Sequence, residues 1–290
     1  MTTACPDLAH TPTSRGFVFA TTGAGYTDLA DRAAQSLRSV HPDAQIDLFT
    51  DQPTEPAVFD RVHHVTNPSR RLKFQSLLDS RFDQTVYLDA DTLTLAPVWD
   101  VFDVLDRFDI AVAQDEATNS PHGRIIWRRE MPTAFPQFNA GVIAIRKSEA
   151  TDRFLSDCDR VFHQHELATD QPMFRELLFL SDLRIGVLPK AYNCMFVAHL
   201  EAQDQMQIAP RILHIPKLHN HLHGHGPQIF TPRQAVGPMI WRHIQAMLAS
   251  DVTLGAQEWK PVRPLMDQGP LGRLRRYIHN SLRDLSRRKP

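Results

Sequence analysis

Three residues about a third of the way along the chain, Asp89-Ala90-Asp91, carry the strongest chemical signal in the sequence. In an extended segment residues i and i+2 point to the same face, so these two carboxylates converge. Paired hard oxygens suit Mg²⁺ or Mn²⁺. Such an ion can clamp a diphosphate, neutralise its charge and stabilise it as a leaving group. A bare D-x-D is also what a strand end with two solvated acids looks like. The context favours the metal, because the pair follows the apolar run Thr85-Val-Tyr-Leu88 and precedes the alternating Thr92-Leu-Thr-Leu95. A second cluster, His219, His221, His223 and His225, reads either as a zinc or nickel site or as a polar loop. The loop is the better reading, since zinc sites use closed tetrahedral sets with supporting groups. Asp170 also reads two ways. It is placed as the N-cap of a helix with Pro172 in its first turn, and it can at the same time present a polar group to a site.

These residues need a scaffold, and the hydrophobic pattern supplies one. Short apolar runs predict strands at 16–20, 46–49, 62–65, 85–88, 110–113, 141–145, 185–188 and 211–214. Apolar and small residues at 3–4 spacing predict helices over 26–40, 72–78 and 149–165, with Pro42 ending the first and a further helix from Met173 to Leu180. The alternation argues for an α/β domain around a mostly parallel sheet. Ligands of such sheets bind at the carboxyl ends of the strands. Thr21, Thr22, Asp51, Asp89, Asp91 and Asp115 are the polar residues that end these strands, and they are expected on one edge.

Composition excludes several classes. The 290 residues hold 42% hydrophobic and 22% charged residues, which rules out a disordered chain. The 32 Lys and Arg against 33 Asp and Glu leave a net charge of −1, unlike a nucleic-acid binder. Mean hydropathy is −0.33, and no apolar run approaches the roughly 18 residues of a membrane span. Met1 to Arg15 lacks the apolar core of a signal peptide, so a cytoplasmic location is expected. Cys5, Cys158 and Cys194 are too few and too scattered for a disulfide framework or a cysteine zinc site. Gly23-Ala-Gly25 is too short for a dinucleotide fingerprint, and there is no nucleophile elbow or P-loop.

The block from Leu72-Lys-Phe-Gln-Ser-Leu77 through Thr85 to Ala96 resembles family 8 of the nucleotide-sugar-dependent glycosyltransferases, the group that includes glycogenin and bacterial lipopolysaccharide galactosyl- and glucosyltransferases. The resemblance runs over about residues 16 to 220. It continues in the family's order through Phe17-Val-Phe-Ala-Thr-Thr-Gly-Ala-Gly-Tyr26, Phe138-Asn-Ala-Gly-Val142, Asp170-Gln171, Leu188-Pro-Lys-Ala-Tyr-Asn193 and His214 with Lys217. It implies a GT-A type, Rossmann-like nucleotide-sugar-binding domain at 16–250, followed by a C-terminal extension at 251–290. It also implies a UDP-sugar donor, Mn²⁺ (or Mg²⁺), and transfer of a hexose with retention to a glycan, lipid-linked or protein acceptor. Residue by residue, it makes Asp89, Asp91 and His214 the metal ligands. Ala20, Thr21, Thr22, Tyr26, Asp51, Lys73, Asp89, Ala90 and Lys217 line the nucleotide, and Asn139, Asp170 and Gln171 face the sugar and acceptor. The late motif departs from the family: His214-Ile-Pro-Lys217 lacks a glycine and has a shorter His-to-Lys spacing.

Two other functions compete. A nucleotidyltransferase making sugar nucleotides would carry a basic, glycine-rich loop for its triphosphate, and Thr21 to Tyr26 has no Lys or Arg. A non-catalytic sugar-nucleotide-binding module would be expected to have lost its metal set, and all three residues are present. The last segment has a character of its own. From Gly269 to Pro290 there are seven basic residues and one acid, net +6, with Leu271, Leu274, Ile278, Leu282 and Leu285 on one helical stripe. Such a helix either lies on an anionic leaflet or packs on the domain or a partner. Flotation with anionic vesicles separates the two. Peripheral membrane contact through 271–289 requires the full chain to float at low salt and a version ending at Gln268 to stay soluble.

Overall fold

The computed structural model describes residues 13–53, 56–66, 72–165, 167, 169–270 and 274. The basic amphipathic helix expected over 271–289 therefore lies outside the described residues, apart from Leu274. In chain order the elements are β1 (Arg15–Thr21), α1 (Ala24–Val40), β2 (Ile46–Thr50), β3 (Arg61–His64), α2 (Lys73–Leu78), β4 (Gln84–Leu88), β5 (Thr92–Thr94), α3 (Asp100–Leu105), β6 (Ile110–Gln114), β7 (Phe138–Arg146), α4 (Glu149–Gln164), α5 (Gln171–Leu180), β8 (Ile185–Leu188), β9 (Ile212–His214), α6 (Pro232–Val236) and α7 (Pro238–Ser250), with short 3-10 segments between the later ones. Every other strand and helix expected above is present to within a few residues. The chain divides into two compact units, one of residues 1–34, 43–90 and 99–188, the other of 35–42, 91–98 and 189–290.

The first unit is built on a seven-stranded sheet in the order β3-β2-β1-β4-β7-β6-β8. All strands run parallel except β7, which pairs antiparallel with both β4 and β6. Strands covered on both faces read as continuous apolar runs, and Phe17, Val18 and Phe19 of β1 are all fully buried. Val18, Phe49 and Tyr87 face a cluster with Phe74 and Leu77 of α2, Phe154 and Phe162 of α4, and Phe174 of α5. Phe17, one residue off, meets Phe102 of α3 edge-on at 5.3 Å on the other side. Gly16 is required by this packing, since a Cβ there would lie 2.2 Å from the Phe82 ring. Ser148 opens α4 with a reciprocal capping box to Thr151. Burial pushes the Cys158 thiol well up, so this cysteine packs as an inert apolar group.

The long connection from β6 to β7 is fastened to α5. The buried Glu176 carboxylate accepts from the N–H groups of Arg128 (3.1 Å) and Arg129 (3.2 Å) and from the Arg128 guanidinium (3.1 Å). Arg175 donates to the carbonyl of Pro132 (2.9 Å) and to that of Phe135.

The second unit holds the antiparallel pair β5 and β9, with Thr92 opposite His214. The last turns of α1 belong to it. Ser36 Oγ accepts from Thr94 N–H (2.9 Å) and His41 Nε2 from Val98 N–H (3.0 Å). Ala209, Met247 and Val262 form a small core. Beside it Arg211 and Asp251, both nearly inaccessible, pair at 3.2 Å. Among the described residues no helix is long and apolar enough to cross a membrane.

One ion cluster sets an acid limit on the first unit. Asp109, at the head of β6, is partly buried, which by itself would raise its pKa. Hydrogen bonds from the Arg184 side chain and N–H and from Arg146 outweigh this and lower it to about 2. A carboxyl depressed in the folded state stabilises above its unfolded pKa and loses that contribution as pH falls towards the folded value. Stability of the parent should therefore fall between about pH 4 and pH 2 by about 1–2 kcal/mol more than that of Asp109→Asn, read from denaturant melts across pH.

Candidate active site

The carboxyl edge of the large sheet gathers most of the expected residues of the first unit. β1 ends there at Thr21; Asp51, Asp89 and Asp115 directly follow the ends of β2, β4 and β6; and Asn139 is the second residue of the reversed β7. Asp89 N–H donates to the Gly141 carbonyl (2.8 Å), which locks the end of β4 to β7. The β6–β7 register jumps between Val112, opposite Ile143, and Ala113, opposite Asn139. Residues 140 to 142 thus fall outside the β6 ladder.

Lys73, the first residue of α2, fills that place. Its ammonium is 5% exposed and donates to the Ala140 carbonyl (2.7 Å). It lies 3.3 Å from Asp170 and 3.4 Å from Asp89, over the Tyr87 ring at 5.3 Å. Tyr87 in turn donates its hydroxyl to Asp89 (2.7 Å). Lys73 is therefore an internal cation joining two carboxylates as well as a candidate phosphate partner. Asp170 does not cap α5, contrary to the sequence expectation. It sits at the N-cap position with helical dihedrals and no capping bond from its side chain. Its carboxylate is buried and turned to the ammonium, a charge-assisted contact that outweighs a bond to a neutral N–H. The next residue, Gln171, has a buried Oε1 with no hydrogen-bond partner.

The turn after β1 is stapled rather than open. Thr21, Thr27 and Thr50 share hydroxyl hydrogen bonds of 3.0 to 3.4 Å, all buried. Gly23 has φ +82°, a conformation suited to glycine, and gives its N–H to Asp51 (2.8 Å). Burial opposes ionisation of Asp51, but hydrogen bonds from Gln52 and Gly23 win and its pKa is lowered. Ala20, Thr22 and Tyr26 are half-buried beside this turn. Asn139 accepts the Gly141 N–H at Oδ1 (2.9 Å).

In the second unit the β5–β9 ladder brings Asp91 and His214 together. Ile215 N–H donates to the Asp91 carbonyl (2.9 Å), and His214 Nε2 lies 3.3 Å from Asp91 Oδ1. The His214 Nδ1 faces Asn193 Oδ1 at 2.9 Å. An amide oxygen only accepts, so Nδ1 carries a proton, and the ring is held with Nε2 turned towards the carboxylate. That is the arrangement of a metal-ligating histidine oriented by a supporting acceptor. His219 Nδ1 stands 3.5 Å from Asp91 Oδ2. Burial works against the Asp91 charge, but His214 and His219 hold the carboxyl well below its usual range. Lys217 is exposed on the 3-10 segment Pro216–His223.

Sequence patterns assign no role to Asn193, and they name His219 only as one of four alternating histidines that read as a polar loop. Asn193 ended a recognised segment, but only the fold shows which ring it orients. The four alternating histidines form no three-ligand group of their own among the described residues. His221 instead gives its Nδ1 proton to the Leu218 carbonyl (2.9 Å).

A mostly parallel sheet whose carboxyl edge bears Asp89, Asp170 and Asn139, in a chain that goes on to a histidine strand, defines a protein of GT-A fold. The chain belongs to the nucleotide-diphospho-sugar transferase family, whose family model matches residues 30–221. Among solved structures, the galactosyltransferase LgtC, solved with donor and acceptor sugar analogs, is similar at 15% identity, over 81% of this chain and 96% of that one, with a TM-score of 0.50. The glycosyltransferase GlyE of Streptococcus pneumoniae is similar at 21% identity, over 69% of this chain, with a TM-score of 0.47; the match spans 54% of GlyE. Mouse xyloside xylosyltransferase 1 is similar at 13% identity over 69% of this chain and 97% of its own, with a TM-score of 0.45. No curated protein sequence matches.

The buried lysine gives a direct test of this edge. Lys73→Met leaves Asp89 and Asp170 without their shared cation and should cost about 3–5 kcal/mol of stability in denaturant melts. The double variant Lys73→Met with Asp170→Asn should recover part of that loss.

Proposed function

We propose that the chain transfers a hexose from a UDP-sugar to a glycan, lipid-linked or protein acceptor, with retention of configuration, as a glycosyltransferase of family 8. The observation that carries the proposal is the Asp91–His214–Asn193 arrangement, in which an oriented imidazole and a buried carboxylate face each other. Asp89, Asp91 and His214 offer two carboxylates and an imidazole, a donor set of the kind that holds a divalent ion. Asp89 and Asp91 are two residues apart, so their Cα atoms stay within about 7 Å of each other by chain geometry alone. Mn²⁺ or Mg²⁺ held by these three would offset the charge of a departing diphosphate.

The remaining roles fall to the chain's own groups. Lys73 fixes Asp89 and Asp170 and adds positive charge near the donor edge. Asp170 is spent on that lysine, whereas the Gln171 Oε1 has no protein partner. This favours Gln171 over Asp170 as the oxygen that faces the reacting sugar carbon, and Asn139 lies at the same edge. Thr21 and Asp51 hold the β1 turn in shape for the base, with Ala20, Thr22 and Tyr26 beside it and Ala90 between the two metal carboxylates. Lys217 is the second cation offered to the phosphates. The β1 turn has no basic residue, which weighs against a nucleotidyltransferase and its triphosphate.

Calorimetry with Mn²⁺ and UDP tests the site without turnover. The parent should bind both, Asp91→Asn should lose Mn²⁺ binding while its melting curve remains cooperative, and His214→Ala should bind Mn²⁺ more weakly. A panel of UDP-, GDP-, ADP- and CMP-sugars should yield free nucleotide from the UDP-sugar alone, and only with the metal. Undiminished metal binding in Asp91→Asn removes the assignment.

A further inference from the structure

The second unit carries a cleft that none of the roles above uses. It has a volume of about 340 Å³ and runs between the turn at Gln205–Ile208 and the end of α7, with Trp259 at its side. Three apolar side chains stand in solvent around it: Trp259 (53% exposed), Met206 (71%) and Val252 (54%). Such residues are normally covered, and an indole left in water beside a cavity is a contact surface.

The indole is held in place. Trp259 Nε1–H donates to the Gln205 carbonyl (3.2 Å), and the Gln205 side chain accepts from Val262 N–H (2.9 Å). Gln205 therefore fixes the segment that carries the ring from two points. The turn below it is also tied, by Asp204 N–H to Gln207 Oε1 (2.9 Å) and Met206 N–H to Asp204 (2.8 Å). A ring pinned in this way loses little freedom when it binds.

Charge narrows the ligand. Among the described residues, the one ionisable side chain lining the cleft is Asp251, and it is buried and committed to Ala209 N–H (2.7 Å), Thr253 and Arg211. The opening therefore presents an indole, a thioether and a branched aliphatic next to the neutral carboxamide of Gln207. Among the described residues that line it there is no cation to hold a phosphate, a nucleic acid or an anionic headgroup. The cleft is lined by ten residues, well short of the roughly 20–30 that each side of a standard protein interface contributes. A pyranose fits, because its C–H face lies flat on an aromatic ring while its hydroxyls meet amide groups at the edge.

We propose that this cleft is a binding site for a neutral glycan, with Trp259 as the stacking platform. The choice of a glycan rests on the transferase reading above, while the cleft and its neutrality do not. The site also has a physical link to β9. Arg211, which pairs with Asp251 under the cleft, is the residue that enters the strand bearing His214.

Binding of the full chain to an array of neutral hexose oligosaccharides, followed by fluorescence titration of the best binder, tests the proposal without donor or metal. The parent should bind. Trp259→Ala and Val252→Asp should each weaken binding about tenfold, the worth of one good aromatic contact. Release of UDP from the donor in the absence of acceptor should be unchanged in both variants. If the parent binds no array member, or both folded variants bind as it does, the site is not a glycan site. A concentration-dependent change of mass on light scattering that Val252→Asp abolishes would make the cleft a self-association surface and overturn the proposal. Loss of UDP release with intact glycan binding would instead count against the transferase reading alone.

Discussion

One buried ammonium organises the carboxyl edge of the sheet in the first unit. Lys73 sits among two carboxylates and a backbone carbonyl with almost no access to water. A charge in such a place is tolerated only when its partners are in position. Those partners come from β4, β7 and the start of α5, so the cation works only if three separate elements arrive in register. The break in the β6–β7 ladder is part of the same device, because it leaves the Ala140 stretch outside that pairing. Tyr87 closes the set by spending its hydroxyl on Asp89.

The scaffold was largely legible in the sequence because its signals are local. Runs such as Phe17-Val-Phe19 and Thr85-Val-Tyr-Leu88 are too apolar and too short for anything but a covered strand, and the helices between them repeat at 3–4 residues. The edge of polar strand ends was likewise foreseeable, since parallel strands bring their carboxyl ends to one side. Three helices were not. α3 and α6 have only a turn or two each, too little for a period to stand out, and the thirteen-residue α7 was not read either. The strand through Asn139 also proved longer than its apolar centre, because Phe138 and Asn139 pair across the bulge.

The site residues divide along the same line. Asp89, Asp91 and His214 could be named from motif resemblance, and the ladder of β5 with β9 pairs the last two. Asn193 and His219 were named only as part of a motif and of a histidine cluster, because their significance lies in contacts with single atoms of residues that only the fold brings close. The N-cap expectation for Asp170 failed for a related reason. A local rule assigns a carboxylate to the nearest free N–H, but a buried lysine nearly a hundred residues earlier in the chain was the stronger partner. Short-range propensity yields to a long-range charge where water is excluded.

Glu176 gives the β6–β7 connection an uneven tolerance to change. Connections of this length without regular structure are uncommon, and an unfastened one would sample widely. Here the arginine pair at 128 and 129 is clamped to α5, and Arg175 grips the chain again at Pro132 and Phe135. The span before the clamp can lengthen at little entropic expense, since loop closure grows only with the logarithm of length. The span after it cannot, because one added residue would pull two anchors out of step. Divergence in length among relatives should then collect between Glu116 and Trp127, where an insert would leave the sheet undisturbed.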